Sequence, residues 1–172
     1  MAEGLLRTRL AQRGVAANVS SAGLSFDDQP ATAESVVAVG RRGVDIESHR
    51  SRILDAQLVE DADLIIALER FHAREVMVLD PDAVHRTFTL KELVRRAIDV
   101  GPRDAGEPLH SWLERAAGGR RTADLLGQSQ DDDVADPYRR SDAVYESCAA
   151  EIDQLVTTLA RLVWPAAAEG AA

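Results

Sequence analysis

The segment Asp63-Leu64-Ile65-Ile66-Ala67-Leu68 constrains this chain more than any other. After its first residue it is apolar without interruption, it is of strand length, and it lacks the polar alternation of a strand with one wet face. Such a run reads as a strand covered on both sides. Helical patterns flank it. Upstream, Pro30 opens a helix over Ala31–Arg42 that Gly43 closes, and Asp55–Glu60 supplies one or two further turns. Downstream, Arg70–Leu79 is helical and stops at Asp80-Pro81, followed by a β-branched and aromatic strand, Arg86-Thr87-Phe88-Thr89-Leu90, and a helix over Lys91–Ile98. Strands that alternate with helices in this way require crossover connections. The expected class is therefore α/β, with a mainly parallel sheet and helices on both faces.

The rest of the chain fits that class. Met1–Gly14 carries Leu5, Leu6 and Leu10 on one helical face, and Val15–Gly23 reads as a short strand ending in the turn-like Ser20-Ser21-Ala22-Gly23. Residues 101–131 are glycine- and proline-rich and the least periodic, with short helices expected near Leu109–Ala117 and Thr122–Leu126. A long amphipathic helix should run from a Ser141 cap to Val163. At 172 residues one domain is expected, spanning residues 1–163, with 164–172 as a fraying tail.

Charge narrows the function. Twenty basic residues against 29 acidic ones leave a net charge of −9, which disfavours nucleic acid and anionic membrane surfaces as partners. No apolar run approaches the roughly 20 residues of a membrane span, so a soluble cytoplasmic protein is expected. The single cysteine, Cys148, excludes an internal disulfide framework, and the four histidines show no metal-ligand spacing; no metal or organic cofactor is expected. No spacing specifies an oligomeric state.

Few residues remain as candidates for chemistry. Asp131-Asp132-Asp133 reads as a solvated acidic loop. Asp136 differs, because Pro137 restricts the backbone after it and Tyr138 supplies an adjacent aromatic wall; a carboxylate so placed suits a general acid. Cys148 falls on the apolar stripe of the last helix with Val144, Ile152 and Leu155, so it reads as core filler rather than an activated nucleophile. His49, between Ser48 and Arg50, reads as a structural polar contact.

The order of short motifs adds a further signal. Met1-Ala2-Glu3-Gly4, Ser20-Ser21-Ala22-Gly23, His49-Arg50-Ser51-Arg52, Ala62-Asp63-Leu64-Ile65, Arg86-Thr87-Phe88-Thr89-Leu90-Lys91-Glu92 and Asp133-Val134-Ala135-Asp136-Pro137-Tyr138 occur in the order and rough spacing of the low-molecular-weight protein tyrosine phosphatases. The chain resembles the bacterial branch of that family over about residues 1–163, most loosely in 101–131. The resemblance implies a three-layer sandwich around a four-stranded parallel sheet of order 2-1-3-4. It implies hydrolysis of phosphotyrosine through a cysteinyl-phosphate without a cofactor, on a phosphorylated protein substrate, phosphotyrosine or phosphoarginine. It makes Asp136 the general acid and Tyr138 the substrate-binding aromatic at the mouth of the site.

The family's nucleophile lies in a Cys-x5-Arg-Ser loop directly ahead of the segment similar to Met1-Ala2-Glu3-Gly4, and no such loop occurs in these 172 residues. Two expectations follow. The favoured one is a truncated gene model in which Met1 is an internal methionine, so that the first strand and phosphate loop are missing. The alternative is a catalytically inactive binding or regulatory module. An arsenate reductase on the same fold needs further redox cysteines, which the sequence lacks.

Overall fold

The computed structural model describes residues 1–165 except Leu126 and Gln128. The expected tail therefore falls largely outside the described residues. The chain packs as two compact units: Met1–Ile53 with Ala135–Ala160, and Leu54–Val134 with Arg161–Pro165.

The first unit holds α1 (Ala2–Gln12), α2 (Ala33–Gly40) and most of α7 (Asp142–Val163). Helix α1 has no side-chain cap, but Glu3 in its first turn and Arg9 in its last suit the helix dipole. Thr32 caps α2 by accepting a hydrogen bond from the Ser35 N–H. Long-range ion pairs tie these helices together. The Arg9 Nε donates to Asp153 at 2.9 Å, and the Arg42 Nη2 donates to Glu146 at 2.8 Å. Gly4 marks a close approach: a Cβ there would stand 2.7 Å from the Ile46 Cγ2 and 3.0 Å from the Val44 Cγ1. Only a glycine lets the 44–46 segment lie against α1 at this depth.

Residues 15–23 correct an expectation. They alternate like a strand, yet no ladder forms; one parallel bridge, Gly23 to Ile53, is all the pairing they make with regular geometry. Among the described residues their own unit offers no strand to pair with, and the Val19 carbonyl instead accepts from Arg7. Alternation supplies the faces of a strand but not its partner.

The second unit carries the sheet. Strand β1 (Ile65–Ala67) pairs in parallel with β2 (Thr87–Thr89), Ile65 opposite Thr87 and Ala67 opposite Thr89. The α/β class and the parallel pairing are as expected. Among the described residues the sheet has two strands, where the resemblance implies four. Between the strands run α4 (Arg70–Leu79) and a 3-10 segment, Pro81–Arg86, begun by the Asp80 carboxylate accepting from the Asp82 N–H. Thr89 ends β2 and caps α5 (Leu90–Val100) in one step, its hydroxyl accepting from the Glu92 N–H. Helices α3 (Ala56–Glu60) and α6 (Leu109–Ala116) complete the unit. Phe88, Leu90, Leu93 and Trp112 are fully buried in it, the last donating its indole N–H to the Gly101 carbonyl at 3.1 Å. No helix among the described residues is long and apolar enough to cross a membrane.

One buried ion pair locks the loop after α6. The Arg120 guanidinium lies 4.6 Å from the centre of the Phe88 ring, donates to both Glu92 oxygens at 2.8 and 3.1 Å, and reaches the Val84 carbonyl at 2.7 Å. Only 4% of its side chain is exposed, so removing it strands the Glu92 carboxylate with Arg96 alone. Arg120→Ala should cost about 3 kcal/mol of unfolding free energy, the usual loss when one partner leaves a buried pair. Urea denaturation followed by circular dichroism checks this, and a loss below about 1 kcal/mol contradicts it.

Candidate active site

Asp136 and Tyr138, the two site residues expected from sequence, stand together on an exposed turn of the first unit. The Asp136 Oδ1 accepts from the Tyr138 N–H at 2.9 Å, an Asx-type bond that orients the carboxylate, while Oδ2 has no described protein donor. A carboxylate open to solvent on one oxygen can carry and deliver a proton. The Arg140 N–H closes the turn onto the Pro137 carbonyl at 2.9 Å.

Phe26 is a site residue that sequence reasoning missed. Its ring centre lies 6.1 Å from that of Tyr138 at an interplanar angle of 55°, and both rings are about half exposed, at 54% and 44%. Two rings held open to solvent beside a carboxylate form an apolar wall for a flat aromatic group. The two residues lie far apart in the chain, so spacing could not join them.

A polar cluster surrounds the first turn of α1. The Glu3 carboxylate accepts from the Ser21 hydroxyl and pairs with Arg7, and the His49 Nδ1 lies 3.6 Å away. Burial works against the Glu3 charge, but the Ser21 hydroxyl, Arg7 and His49 outweigh it and hold the carboxyl below its ordinary range. His49 is thus a structural polar contact, as its sequence context indicated. The cluster fixes the Ser20–Gly23 turn against the start of α1, and Arg52 adds a bond from its Nε to the Ser21 carbonyl at 2.8 Å.

Cys148 is buried in α7 between Tyr145 and Ile152, both also buried. The sixth residue after it is Gln154, so it begins no Cys-x5-Arg loop. Among the described residues no group of three His, Cys, Asp or Glu side chains is placed to hold a metal.

The acidic triplet corrects a second expectation. Asp131–Asp133 is no solvated loop: Asp132 is 5% exposed and sits between two guanidiniums, Arg70 Nε at 2.6 Å and Arg95 Nη2. Asp133 caps α4, accepting from the Arg70 N–H at 2.7 Å and from the Ser129 N–H at 2.9 Å. The Val134 N–H then donates to the Leu68 carbonyl at 2.8 Å, just beyond β1. These anchors all lie in the second unit, and the next residue, Ala135, begins the segment that bears Asp136. A cleft of about 340 Å³ borders the same arginines, but Asp132 and Glu92 already take up Arg70, Arg95 and Arg96, so it offers an anion no uncompensated charge.

Comparison with known proteins settles the family. A profile of the low molecular weight phosphotyrosine protein phosphatases matches residues 1–111. The chain belongs to this family. It is 32% identical to the low molecular weight protein-tyrosine-phosphatase Etp of Escherichia coli over 120 residues, which is 67% of this chain and 78% of that protein. It is 35% identical over 100 residues to the probable low molecular weight protein-tyrosine-phosphatase EpsP of Ralstonia solanacearum, which is 58% of this chain and 66% of that protein. Among solved structures, the low molecular weight phosphatase from T. tengcongensis superposes with a TM-score of 0.68 at 25% identity, covering 93% of this chain and 87% of that one. A YwlE arginine phosphatase with a phosphorylated active-site serine gives 0.68 at 25% identity, covering 94% and 84%. The chain is a protein tyrosine phosphatase-like domain.

The Asp132 ion pair tests the anchoring of the segment that precedes Asp136. Burial opposes the Asp132 charge, yet Arg95 and Arg70 outweigh it and lower its pKa. A carboxylate lowered in the folded state stabilises above its unfolded pKa of about 4, and that contribution disappears as pH falls through the folded value. Asp132→Asn should therefore lose about 1–3 kcal/mol at pH 7. Its deficit relative to the parent should shrink as pH falls from 4 toward 2. Thermal melts across that range measure it, and a deficit that stays constant contradicts the ion-pair account.

Proposed function

We propose that this chain supplies the scaffold and the general acid of a cytoplasmic phosphatase that acts on phosphorylated protein side chains, phosphotyrosine or phosphoarginine. The observation that carries the reading is the Asp136 carboxylate, oriented by the Tyr138 N–H and flanked by the Phe26–Tyr138 ring pair, in a chain that belongs to the phosphatase family. In this reading the nucleophile comes from a Cys-x5-Arg-Ser loop, a motif that these 172 residues do not contain.

The chemistry assigns each part a role. A thiolate attacks phosphorus, forming the S–P bond as the P–O bond of phosphotyrosine or the P–N bond of phosphoarginine breaks. Asp136 gives its proton to the leaving oxygen or nitrogen, so that no free phenolate or guanidine anion need depart. Water then attacks the cysteinyl-phosphate and gives Asp136 a proton, the S–P bond breaks, and the thiolate and inorganic phosphate are released. Tyr138 and Phe26 hold the aromatic or planar body of the substrate side chain against the acid. The N-terminal end of α1, with its unpaired backbone N–H groups and positive dipole, is the part of the chain suited to the phosphate dianion.

Two proteins test this reading: the 172-residue chain, and the same chain preceded by a strand and a Cys-x5-Arg-Ser loop. The first should not hydrolyse p-nitrophenyl phosphate, because its one cysteine is packed in α7. The second should turn over, and Asp136→Asn in it should lower kcat by about 10²–10⁴ with little change in KM. Turnover by the short chain that Cys148→Ser abolishes would overturn the assignment of the nucleophile. A folded, loop-bearing protein without turnover would favour the inactive binding module.

A further inference from the structure

Arg139 occupies a backbone conformation that suits it poorly. Its φ is +60°, at the third position of the turn that the Arg140 N–H closes onto Pro137. That is the position where turns of this kind take glycine, because a Cβ there meets the neighbouring carbonyl. The side chain is nevertheless placed: its guanidinium carbon lies 5.2 Å from the centre of the Tyr138 ring, whose other neighbour is Phe26. Arg139 and Arg140 are exposed, and neither has an ion-pair partner among the described residues. Elsewhere in the chain Arg9, Arg41, Arg42, Arg70 and Arg95 are each paired with a carboxylate. Asp27 and Asp28 follow Phe26 in the chain.

We propose that Arg139, assisted by Arg140, reads a carboxylate next to the phosphorylated residue, so that the preferred substrates are phosphoprotein segments with an acidic neighbour on the Arg139 side of the ring pair. This rests on the site proposed above and names the substrate class it takes. A guanidinium stacked on a ring has already lost part of its hydration and its rotamer freedom, while its edge N–H groups stay free to grip a carboxylate bidentately. The location matters in a chain of net charge −9, where an acidic segment gains most beside cations that no described carboxylate of the chain neutralises. Strain held at one residue of a site, where glycine would be cheaper, is the expected mark of a side chain kept for binding.

The test uses the 172-residue chain and three phosphotyrosine peptides that differ in one neighbour of the phosphotyrosine, Glu, Gln or Lys, titrated by nuclear magnetic resonance. The Glu peptide should bind about three- to tenfold more tightly than the Gln peptide, the range of one or two exposed bidentate pairs, and should shift the Tyr138 amide and Arg139 Nε signals. The preference should vanish at 0.5 M salt. Arg139→Gly should melt a few degrees higher, since it relieves the turn, and should bring the Glu-to-Gln ratio to about one; Arg139→Glu should favour the Lys peptide. Absent binding of the Glu peptide, equal affinity for Glu and Gln, or a ratio unchanged in Arg139→Gly overturns the proposal. Turnover by the loop-bearing protein without an acid preference refutes this inference alone. An acid preference without turnover refutes the phosphatase reading and keeps the inference.

Discussion

The buried carboxylate of Asp132, held by Arg70 from the start of α4 and by Arg95 from α5, is the contact on which the second unit's most irregular stretch depends. Residues 101–134 contain few regular elements, so their backbone polar groups must find partners one at a time. Basic side chains of α4 and α5 meet that need. Arg74 takes the Leu125 and Gly127 carbonyls, Lys91 the Gln130 carbonyl, and Arg95 the Asp131 carbonyl, while Asp133 caps α4 in return. A helix whose own N-cap residue, Glu69, makes no cap bond is thus finished by a residue 63 positions later in the chain. The segment that bears Asp136 starts from this fixed point.

The site divides along the same logic. An acid needs an oriented carboxylate in contact with solvent, and a four-residue turn with one Asx bond provides it. A cysteine nucleophile needs much more: a low pKa, backbone donors for the phosphate, and an arginine for its equatorial oxygens. Cys148 lies inside α7, buried beside Tyr145 and Ile152, and begins no Cys-x5-Arg loop. The polar cluster of Glu3, Ser21, His49 and Arg7 holds the first turn of α1 and the Ser20–Gly23 turn in fixed register. The described residues thus hold a solvent-facing carboxylate at Asp136 and a rigid polar cluster at the first turn of α1.

Sequence patterns made the regular elements legible wherever burial or capping decides the outcome. The apolar run gave β1 and Asp80-Pro81 ended α4, whereas Thr89, which reads as mid-strand, ends β2 and caps α5. The patterns failed where partners are distant. Asp132 looks solvated because adjacent aspartates usually are, and its arginines lie 62 and 37 residues away. Phe26 gave no signal because its ring partner is Tyr138, on the far side of the chain. Val15–Gly23 has strand alternation but meets only Ile53 across one bridge. The 3-10 segment Pro81–Arg86 escaped notice because a proline after a helix reads as a stop and not as a fresh start. The Asp-Pro-Tyr turn was visible because proline and an aromatic beside an aspartate constrain one another locally.

The claim at the centre of this account is that Asp136 delivers the proton to the leaving group. The most direct measurement is kcat for a series of aryl phosphates of increasing leaving-group pKa, in the chain preceded by an added strand and Cys-x5-Arg-Ser loop and in the corresponding Asp136→Asn protein. With a proton donor in place the rate should depend only weakly on leaving-group pKa, and without it the rate should fall steeply as the leaving group becomes more basic. Diverging lines are the result this account predicts. Two parallel lines would remove Asp136 from the proton transfer and contradict it.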